Sequence, residues 1–373
     1  MNYLISGGGT GGHIFPAVSI ANALRELDPE CKILFVGAED RMEMQRVPQA
    51  GYDIVGLPVQ GLDRQRPWRN FKVLFNLCRS MLRVRKIIRD FRPDAAVGVG
   101  GYASAAAMKV AARMGIPVLL QEQNGFAGVT NKFLRNDAQK ICVAYEGMER
   151  FFPKEKLILT GNPVRQNLTN GNKSDAIRYF NQEYKVGFTA DRKTLLVIGG
   201  SLGAVTINES ISTGLDKLLA NNIQVVWQTG KKHFDKCRAE YEKLSAEQKQ
   251  LLVCTDFLSR MELAYAMADL VVSRAGASSI SELCLLGKPA ILVPSPNVAE
   301  NHQYHNAMAL VNKQAAILVE DSKARKLLVS TAIATIGNND QLNTLSANIL
   351  ALAQRDSALR IAKEVIEMTK HNT

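Results

Sequence analysis

The sequence lacks the features of a secreted, membrane-spanning or metal-dependent protein. No uninterrupted apolar stretch is long enough to cross a bilayer, and the N-terminus lacks the basic start and apolar run of a secretory signal. The six cysteines form no C-x-x-C pair, and the five histidines form no H-E-x-x-H pattern. We therefore expect a cytoplasmic protein with reduced thiols, no cofactor and no bound metal, able to rest on a membrane surface.

The composition is that of a globular protein with an excess of positive charge. Hydrophobic residues make up 46% and charged residues 22% of the 373-residue chain, a length at which two domains are expected. The 46 Lys and Arg residues outnumber the 35 Asp and Glu residues, which gives a formal charge of +11. This excess favours an anionic partner, whether phosphate, nucleic acid or acidic lipid.

Each half of the sequence opens with a strand, a glycine turn and a helix. The first half has these at residues 2–6, 7–12 and 15–27, and the second at 194–198, 199–204 and from 205 onward. Further strands are predicted at residues 32–36, 95–99, 117–120, 140–143, 157–159, 224–228, 251–254, 270–273, 290–293 and 316–318. The alternation predicts two α/β domains with parallel, doubly wound sheets that face a central cleft, divided within the polar stretch 164–192.

The two glycine turns favour phosphate binding. The first, residues 7–12, contains five glycines, whose backbone N–H groups can approach an anion at a helix start. A tight turn without a ligand is the simpler interpretation. A dinucleotide-binding turn is a rival, since Glu39 follows the second strand. The second glycine turn argues against a dinucleotide site, because two phosphate-binding turns suit two phosphorylated substrates better than one dinucleotide.

Six segments, taken in order, resemble the MurG family. They are Gly9-Thr10-Gly11-Gly12-His13-Ile14-Phe15-Pro16, Gly100-Gly101-Tyr102, Gln121-Glu122-Gln123-Asn124, Gly161-Asn162-Pro163-Val164-Arg165, Gly199-Gly200-Ser201 and Ser273-Arg274-Ala275-Gly276-Ala277. The resemblance covers nearly the whole chain. It implies a GT-B fold and metal-independent, inverting transfer of N-acetylglucosamine from UDP-N-acetylglucosamine to lipid I (undecaprenyl-diphospho-MurNAc-pentapeptide), giving lipid II for peptidoglycan.

The resemblance also implies domains, location and partners. Residues 1–163 would be the acceptor and membrane-associating domain, and 164–352 the UDP-N-acetylglucosamine domain. A helix in 353–373 would pack back on the first domain. The expected location is peripheral, on the cytoplasmic face of the bacterial inner membrane, whose anionic surface is an expected partner. Other cell-wall synthesis proteins are candidate partners, and nucleic acid is not.

The resemblance places the donor site mostly in the second domain. Ser201 would bind donor phosphate, Arg165 would reach the nucleotide from the hinge, and Leu258 stands where the family contacts uracil through its backbone. The segment that would wrap the ribose and phosphates consists of Ala277, Ser278, Ser279, Ile280, Ser281 and Glu282. Glu282 would accept from ribose hydroxyls and Gln303 would hold sugar hydroxyls. From the first domain, Asn124 and the turn residues Thr10, Gly11 and Gly12 would approach the transferred sugar and the acceptor.

The sequence departs from the family pattern at several positions. Leu202 stands where Gln is expected, His302 where some members have a second Gln, and Glu300 where Asp is common. Ala105-Ala106 replaces a Gly-Pro-like stretch. The sugar contacts are therefore less well defined by the resemblance than the UDP contacts.

Two residues are candidate catalytic bases. His13 follows the first glycine turn at a helix start, where a neutral imidazole can accept a proton. It is equally consistent with a hydrogen-bond donor that only positions the substrate. Glu122, at a strand end beside the expected cleft, is the competing base, or a carboxylate that only orients Asn124.

The segment from Arg64 to Arg92 is the most basic part of the chain. It alternates Arg and Lys with Trp, Phe, Leu, Met and Ile side chains, a pattern that suits an anionic membrane surface. A helix with one buried and one solvated face gives the same pattern.

Three other functions remain as alternatives. A UDP-N-acetylglucosamine 2-epimerase shares the GT-B layout, and a glycolipid-forming transferase shares the chemistry. A nucleic-acid-binding protein would explain the positive charge, but the sequence contains no recognisable nucleic-acid-binding motif.

Overall fold

The computed structural model describes residues 1–59, 70–164, 166–200 and 203–370. The chain divides into two compact units, the first made of Met1–Val164 and Gln354–Thr373 and the second of Arg165–Ala353. Two residues assigned to function from the sequence, Arg165 and Ser201, lie outside the described residues, as does Leu202, which departs from the family pattern. So do the first residues of the basic segment, 64–69. In the described ranges, no helix combines the length and apolarity needed to cross a bilayer.

The described residues of the first unit form a seven-stranded parallel sheet. In chain order its strands are β1 (Asn2–Gly7), β2 (Lys32–Ala38), β3 (Asp53–Leu57), β4 (Ala95–Gly100), β5 (Val118–Glu122), β6 (Lys140–Val143) and β7 (Leu157–Leu159). Their order across the sheet is β3-β2-β1-β4-β5-β6-β7. The chain therefore reverses its direction of winding between β1 and β4, and ligands of such sheets bind outside the carboxyl ends of the strands at this point.

Helices cover both faces of this sheet because its strands are apolar on both sides. The helices are α1 (Gly11–Leu27), α2 (Glu43–Gln49), α3 (Asn70–Phe91), α4 (Tyr102–Arg113), α5 (Val129–Leu134) and, from the C-terminal segment, α15 (Ser357–Lys370). Tyr3 and Ile5 of β1 pack in the cluster that contains α1 and α15. Leu4, which points the opposite way, packs in the cluster that contains α4.

The C-terminal helix α15 is an integral part of the first unit. Its residues Ile361 and Val365 are fully buried in the same cluster as Leu24 of α1. Lys140, at the start of β6, pairs with Glu364 and Glu367, and both contacts measure 2.5 Å. Apolar burial and an ion pair with two carboxylates together fix α15 on the sheet.

The second unit repeats the architecture with a six-stranded parallel sheet among its described residues. Its strands are β8 (Thr194–Ile198), β9 (Gln224–Gln228), β10 (Leu252–Thr255), β11 (Leu270–Ser273), β12 (Ala290–Leu292) and β13 (Ile317–Leu318). Its helices are α6 (Lys173–Tyr184), α7 (Val205–Ala220), α8 (Phe234–Glu242), α9 (Ala246–Lys249), α10 (Met261–Met267), α11 (Ala277–Leu286), α12 (His302–Val311), α13 (Asp321–Ile336) and α14 (Asn339–Leu350). The strand order is β10-β9-β8-β11-β12-β13, so here the winding reverses between β8 and β11.

Candidate active site

The first glycine turn joins β1 to α1 where the first sheet reverses its winding. The Gly8 N–H donates to the carbonyl of Gly100 at the end of β4, at 3.3 Å. A Cβ placed on Gly101 would lie 2.6 Å from the Gly8 oxygen, closer than two atoms can approach without contact strain. The turns that follow β1 and β4 therefore pack backbone to backbone, and glycine is required for that approach.

His13 lies in the first turns of α1 with its ring against the glycine turn. Its Nδ1 is 2.9 Å from the Gly8 carbonyl oxygen. A carbonyl can only accept, so Nδ1 carries the proton, and in the neutral ring Nε2 holds the lone pair. Within the described part of the chain Nε2 has no hydrogen-bond partner. A Cβ placed on Gly100 would lie 2.9 Å from it, so glycine there keeps the space beside Nε2 open.

A carboxylate that the sequence did not identify, that of Glu43, supports the first glycine turn. Glu43 is the first residue of α2 and is fully buried. Its Oε2 accepts from the Gly9 N–H at 3.0 Å, and its Oε1 accepts from the Ala38 N–H at 3.1 Å. The Gly9 N–H of this turn therefore already binds a carboxylate of the chain itself, which leaves the other N–H groups of the turn for the expected phosphate.

Glu122 is the last residue of β5, and its carboxylate accepts hydrogen bonds from the segment that follows. Its Oε1 accepts from the Asn124 N–H at 3.1 Å, and its Oε2 accepts from the Gly128 N–H and from Asn131 Nδ2, both at 2.9 Å. Only 2% of the residue is exposed. This arrangement favours the interpretation in which Glu122 orients Asn124 over the one in which it is the base.

A buried amide network lies beneath Asn124. Gln121 Nε2 donates to Asn162 Oδ1 at 3.0 Å, Asn162 Nδ2 donates to the Gln123 carbonyl at 2.9 Å, and Gln123 Nε2 donates to the Val99 carbonyl at 2.8 Å. Gln123 is therefore a packing residue that joins the ends of β4 and β5. Asn124 itself is half-buried. The peptide between Gln123 and Asn124 is held at both of its polar groups, because its carbonyl accepts from Asn162 and its N–H donates to Glu122.

In the second unit, the glycine turn after β8 has a tighter backbone. Gly203 has φ +79°, and a Cβ placed on it would lie 2.1 Å from the Thr229 oxygen. A Cβ placed on Gly200 (φ +81°) would meet nothing within 4 Å. Gly203 therefore packs closely against the residue that follows β9, while the turn is open at Gly200.

Helix α11 begins directly after β11, at the point where the second sheet reverses its winding. Gly276 is its N-cap and no side chain caps it. The Ile280 N–H donates to the Gly276 carbonyl at 3.0 Å, so the N–H groups of Ala277, Ser278 and Ser279 are the ones without helical partners. Such a helix start attracts anions.

The remaining predicted residues of α11 differ in their exposure. The Ile280 side chain is buried, and the Ser281 hydroxyl donates to the Ala277 carbonyl at 3.0 Å. Glu282, 7% exposed, accepts from the Tyr265 hydroxyl at 2.9 Å. The helix therefore presents Ala277–Ser279 through the backbone, while Glu282 is held by a buried tyrosine.

Leu258 and the second glycine turn are joined by Gln228, at the end of β9, which sequence reasoning missed. Gln228 Oε1 accepts from the Leu258 N–H at 3.0 Å, and its Nε2 lies 3.4 Å from the Gly200 carbonyl. Gln303, on α12, accepts from the Ser295 N–H at 2.8 Å through Oε1, which leaves its amide group as the donor. The Arg274 guanidinium pairs with Asp321 at the start of α13, so it fixes α13 to the β11 loop.

The predicted residues that the structure describes fall into two groups, one in each unit. Thr10, Gly11, Gly12 and His13 are contiguous in the first turn, and Glu122 holds Asn124 in the same unit. In the second unit, Ala277 to Glu282 share α11, and Gln228 ties Leu258 to Gly200. The described residues show no hydrogen bond that brings Gln303 to either group.

Comparison with known proteins identifies the family. The glycosyltransferase family 28 N-terminal domain matches residues 3–143, and the family 28 C-terminal domain matches residues 194–364. A relative in Bacteroides fragilis is 57% identical and aligns over 100% of this chain and 97% of its own length. A relative in Parabacteroides distasonis is 56% identical and aligns over 98% of this chain and 97% of its own length. Both are named UDP-N-acetylglucosamine--N-acetylmuramyl-(pentapeptide) pyrophosphoryl-undecaprenol N-acetylglucosamine transferase.

The solved structures agree in fold. The crystal structure of Acinetobacter baumannii MurG superposes with a TM-score of 0.80 at 25% identity, covering 98% of this chain and 99% of that one. A UDP-N-acetylglucosamine 2-epimerase superposes with a TM-score of 0.64 at 12% identity, a likeness of fold alone. On these matches, and on two parallel α/β sheets that each reverse their winding beside a glycine turn, the chain has a GT-B fold and belongs to the MurG family of glycosyltransferases.

Proposed function

We propose that this protein transfers N-acetylglucosamine from UDP-N-acetylglucosamine to the muramoyl sugar of lipid I, giving lipid II. The relatives named for this reaction align with the chain over nearly its whole length, and that observation carries the proposal. The local geometry supports it, since one unit offers an orientated imidazole and the other an uncapped helix start.

His13 is the proposed base. With Nδ1–H bound to the Gly8 carbonyl, Nε2 takes the proton from the acceptor hydroxyl. The acceptor oxygen bonds to the anomeric carbon of N-acetylglucosamine while the bond from that carbon to the UDP oxygen breaks, and UDP leaves with the electron pair. Attack from the side opposite UDP inverts the anomeric configuration.

The start of α11 is the proposed site for the donor diphosphate. The N–H groups of residues 277–279 and the positive end of the helix dipole stabilise the charge that develops on UDP as it departs. Leu258 then contacts uracil through its carbonyl, which can accept from the uracil N3–H, because its N–H is bound to Gln228. Glu282 accepts from the ribose, and Gln303 donates to the sugar through its amide.

A coupled assay tests the activity. Purified protein should release UDP from UDP-N-acetylglucosamine only when lipid I is added, and mass spectrometry should detect lipid II. Epimerase activity predicts consumption of the donor without an acceptor. UDP release with a diacylglycerol acceptor but not with lipid I indicates a glycolipid-forming transferase. Either result contradicts the proposal.

We also propose that α3 holds the protein on the cytoplasmic face of the inner membrane. Ser80, Val84 and Ile88 form its buried stripe, so part of the basic segment packs on the sheet as an ordinary amphipathic helix. The opposite face carries Arg79, Leu82, Arg83 and Lys86 at helical spacing, and Leu82 is 70% exposed. An exposed leucine among cations suits an anionic lipid surface.

Vesicle binding tests this proposal quantitatively. Arg79→Gln/Lys86→Gln should weaken binding to anionic vesicles by about ten- to thirtyfold, at about 1 kcal/mol for each cation. Lys326→Gln, on an exposed face of α13, removes a cation from the second unit and should change binding little. Equal binding to neutral and anionic vesicles, or the same loss in the control, would contradict an electrostatic role for α3.

A further inference from the structure

Glu43 is a buried carboxylate to which the proposed mechanism gives no part. The glycine turn and the end of β2 pack around it. A Cβ placed on Gly8 would lie 2.1 Å from Glu43 Oε1, and one placed on Gly37 would lie 2.7 Å from its Cγ. Neither position tolerates a side chain while Glu43 keeps its place.

One peptide unit connects Glu43 to His13. The carboxylate binds the Gly9 N–H, and the carbonyl of the same peptide, that of Gly8, lies 2.9 Å from His13 Nδ1. A trans peptide is planar, and its N–H and C=O point in opposite directions. When Glu43 fixes the N–H on one side, it therefore fixes the direction of the carbonyl on the other.

The charge of Glu43 favours the same tautomer of His13 as its position does. A negative charge on the N–H side polarises the peptide and strengthens its carbonyl as an acceptor, because hydrogen bonds in series reinforce one another. The Gly8 carbonyl thus holds the Nδ1–H tautomer of His13 more firmly than an unsupported carbonyl would. The second contact of Glu43, with the Ala38 N–H, anchors the carboxylate to the end of β2.

We propose that Glu43 is a positioning residue that acts on His13 through the Gly8–Gly9 peptide. It keeps Nδ1 protonated and the lone pair of Nε2 directed away from the turn. This inference rests on the proposed function for its effect on turnover. Its effect on the tautomer of His13 does not depend on which substrate the enzyme uses.

Two variants and one control test the inference. Glu43→Gln keeps the shape but replaces one acceptor oxygen with an amide that faces an N–H group. Glu43→Ala leaves both N–H groups without a carboxylate. Asp40→Asn is the control, because it removes one negative charge from the same loop at an exposed position.

The direct measurement is the ¹⁵N NMR spectrum of the histidine rings, with His13 assigned by its absence in His13→Asn. The chain has only five histidines, so the resonances should be separable. Wild type and Asp40→Asn should show His13 protonated at Nδ1. Glu43→Gln and Glu43→Ala should show a mixture of the two tautomers. Persistence of the pure Nδ1–H tautomer in both Glu43 variants would overturn the inference.

Kinetics give the second measurement. We expect loss of this orienting partner to reduce kcat by on the order of tenfold to a hundredfold, by analogy with the carboxylates that orient metal-bound histidines. The Kd for UDP should stay within about twofold, since a shift of 0.4 kcal/mol or less at the donor site is all that an indirect effect should cause. Formate should partly restore kcat in Glu43→Ala and leave Asp40→Asn unchanged.

The outcomes separate this inference from the proposed function. If wild type shows the Nδ1–H tautomer and the Glu43 variants lose it, but lipid I is no substrate, the proposed function fails and the role of Glu43 stands. If kcat and UDP affinity fall together, with loss of the folded near-UV spectrum, Glu43 merely stabilises the fold and the inference is overturned.

Discussion

Replacement of His13 by asparagine separates proton transfer from positioning. The Asn side-chain N–H can reach the place of Nδ1 and donate to the Gly8 carbonyl, which now lies 2.9 Å from the imidazole. Asparagine has no basic nitrogen at the position of Nε2. The substitution therefore keeps the hydrogen bond and removes the base.

The two interpretations predict different magnitudes. General-base catalysis contributes about 10²- to 10⁴-fold, or about 3 to 5 kcal/mol in the activation free energy. Loss of one neutral hydrogen bond costs only about 0.5 to 1.5 kcal/mol, roughly a two- to tenfold effect. We expect kcat of His13→Asn to fall at least a hundredfold in the lipid I assay.

The control is UDP binding, measured by calorimetry. The proposed donor contacts all lie in the second unit, so the Kd for UDP should not change in His13→Asn. A variant that retains kcat within tenfold of wild type would refute the base and leave His13 as a donor that positions the substrate. Glu122→Gln would then become the decisive variant, although both oxygens of that carboxylate already accept from the loop.

Three further predictions concern single residues. Gly100→Ala should reduce kcat as strongly as loss of His13, because a Cβ there would lie 2.9 Å from His13 Nε2; steady-state kinetics with unchanged UDP binding checks this. Gln228→Leu should lower the free energy of unfolding by about 1 to 3 kcal/mol, the cost of leaving the buried Leu258 N–H unpaired, as denaturant unfolding would show. Cys78 should be the one cysteine that reacts quickly with a thiol reagent near neutral pH, because its side chain is exposed. The other cysteines are buried, and burial raises the pKa of the Cys142 thiol, for example, to about 12. A second fast thiol in a titration of the folded protein would contradict this.

The sequence predicted the strands and glycine turns well because these depend on local pattern. Short apolar runs that follow turn residues in the sequence predicted twelve of the strands described here. They did not predict β3 (Asp53–Leu57). That strand begins with Asp and has Gly as its fourth residue, two residue types that are depleted in strands, so its pattern is weak. Its place at the edge of the sheet, beside β2, explains why Asp and Gly are tolerated there.

The residues that hold the site were not predictable because their partners are distant in sequence. Glu43 contacts Gly9 across 34 positions and Gln228 contacts Leu258 across 30. The dinucleotide-binding pattern points to Glu39 as the carboxylate after β2, but Glu39 is exposed and pairs with Arg83. The carboxylate that meets the turn is four residues further on, at the start of a short helix, and nothing in the local pattern distinguishes the two.

The two glycine turns, although alike in sequence, differ in what they can bind. The first already holds the carboxylate of Glu43 at the Gly9 N–H, so a diphosphate approaching that peptide meets a negative charge. At the second, the side chain that reaches the turn is that of Gln228, a neutral amide whose Nε2 lies 3.4 Å from the Gly200 carbonyl. A nucleotide diphosphate should therefore be repelled by the first turn and accepted beside the second. The carboxylate that we propose orientates His13 thus also disfavours binding of a diphosphate at the Gly9 N–H.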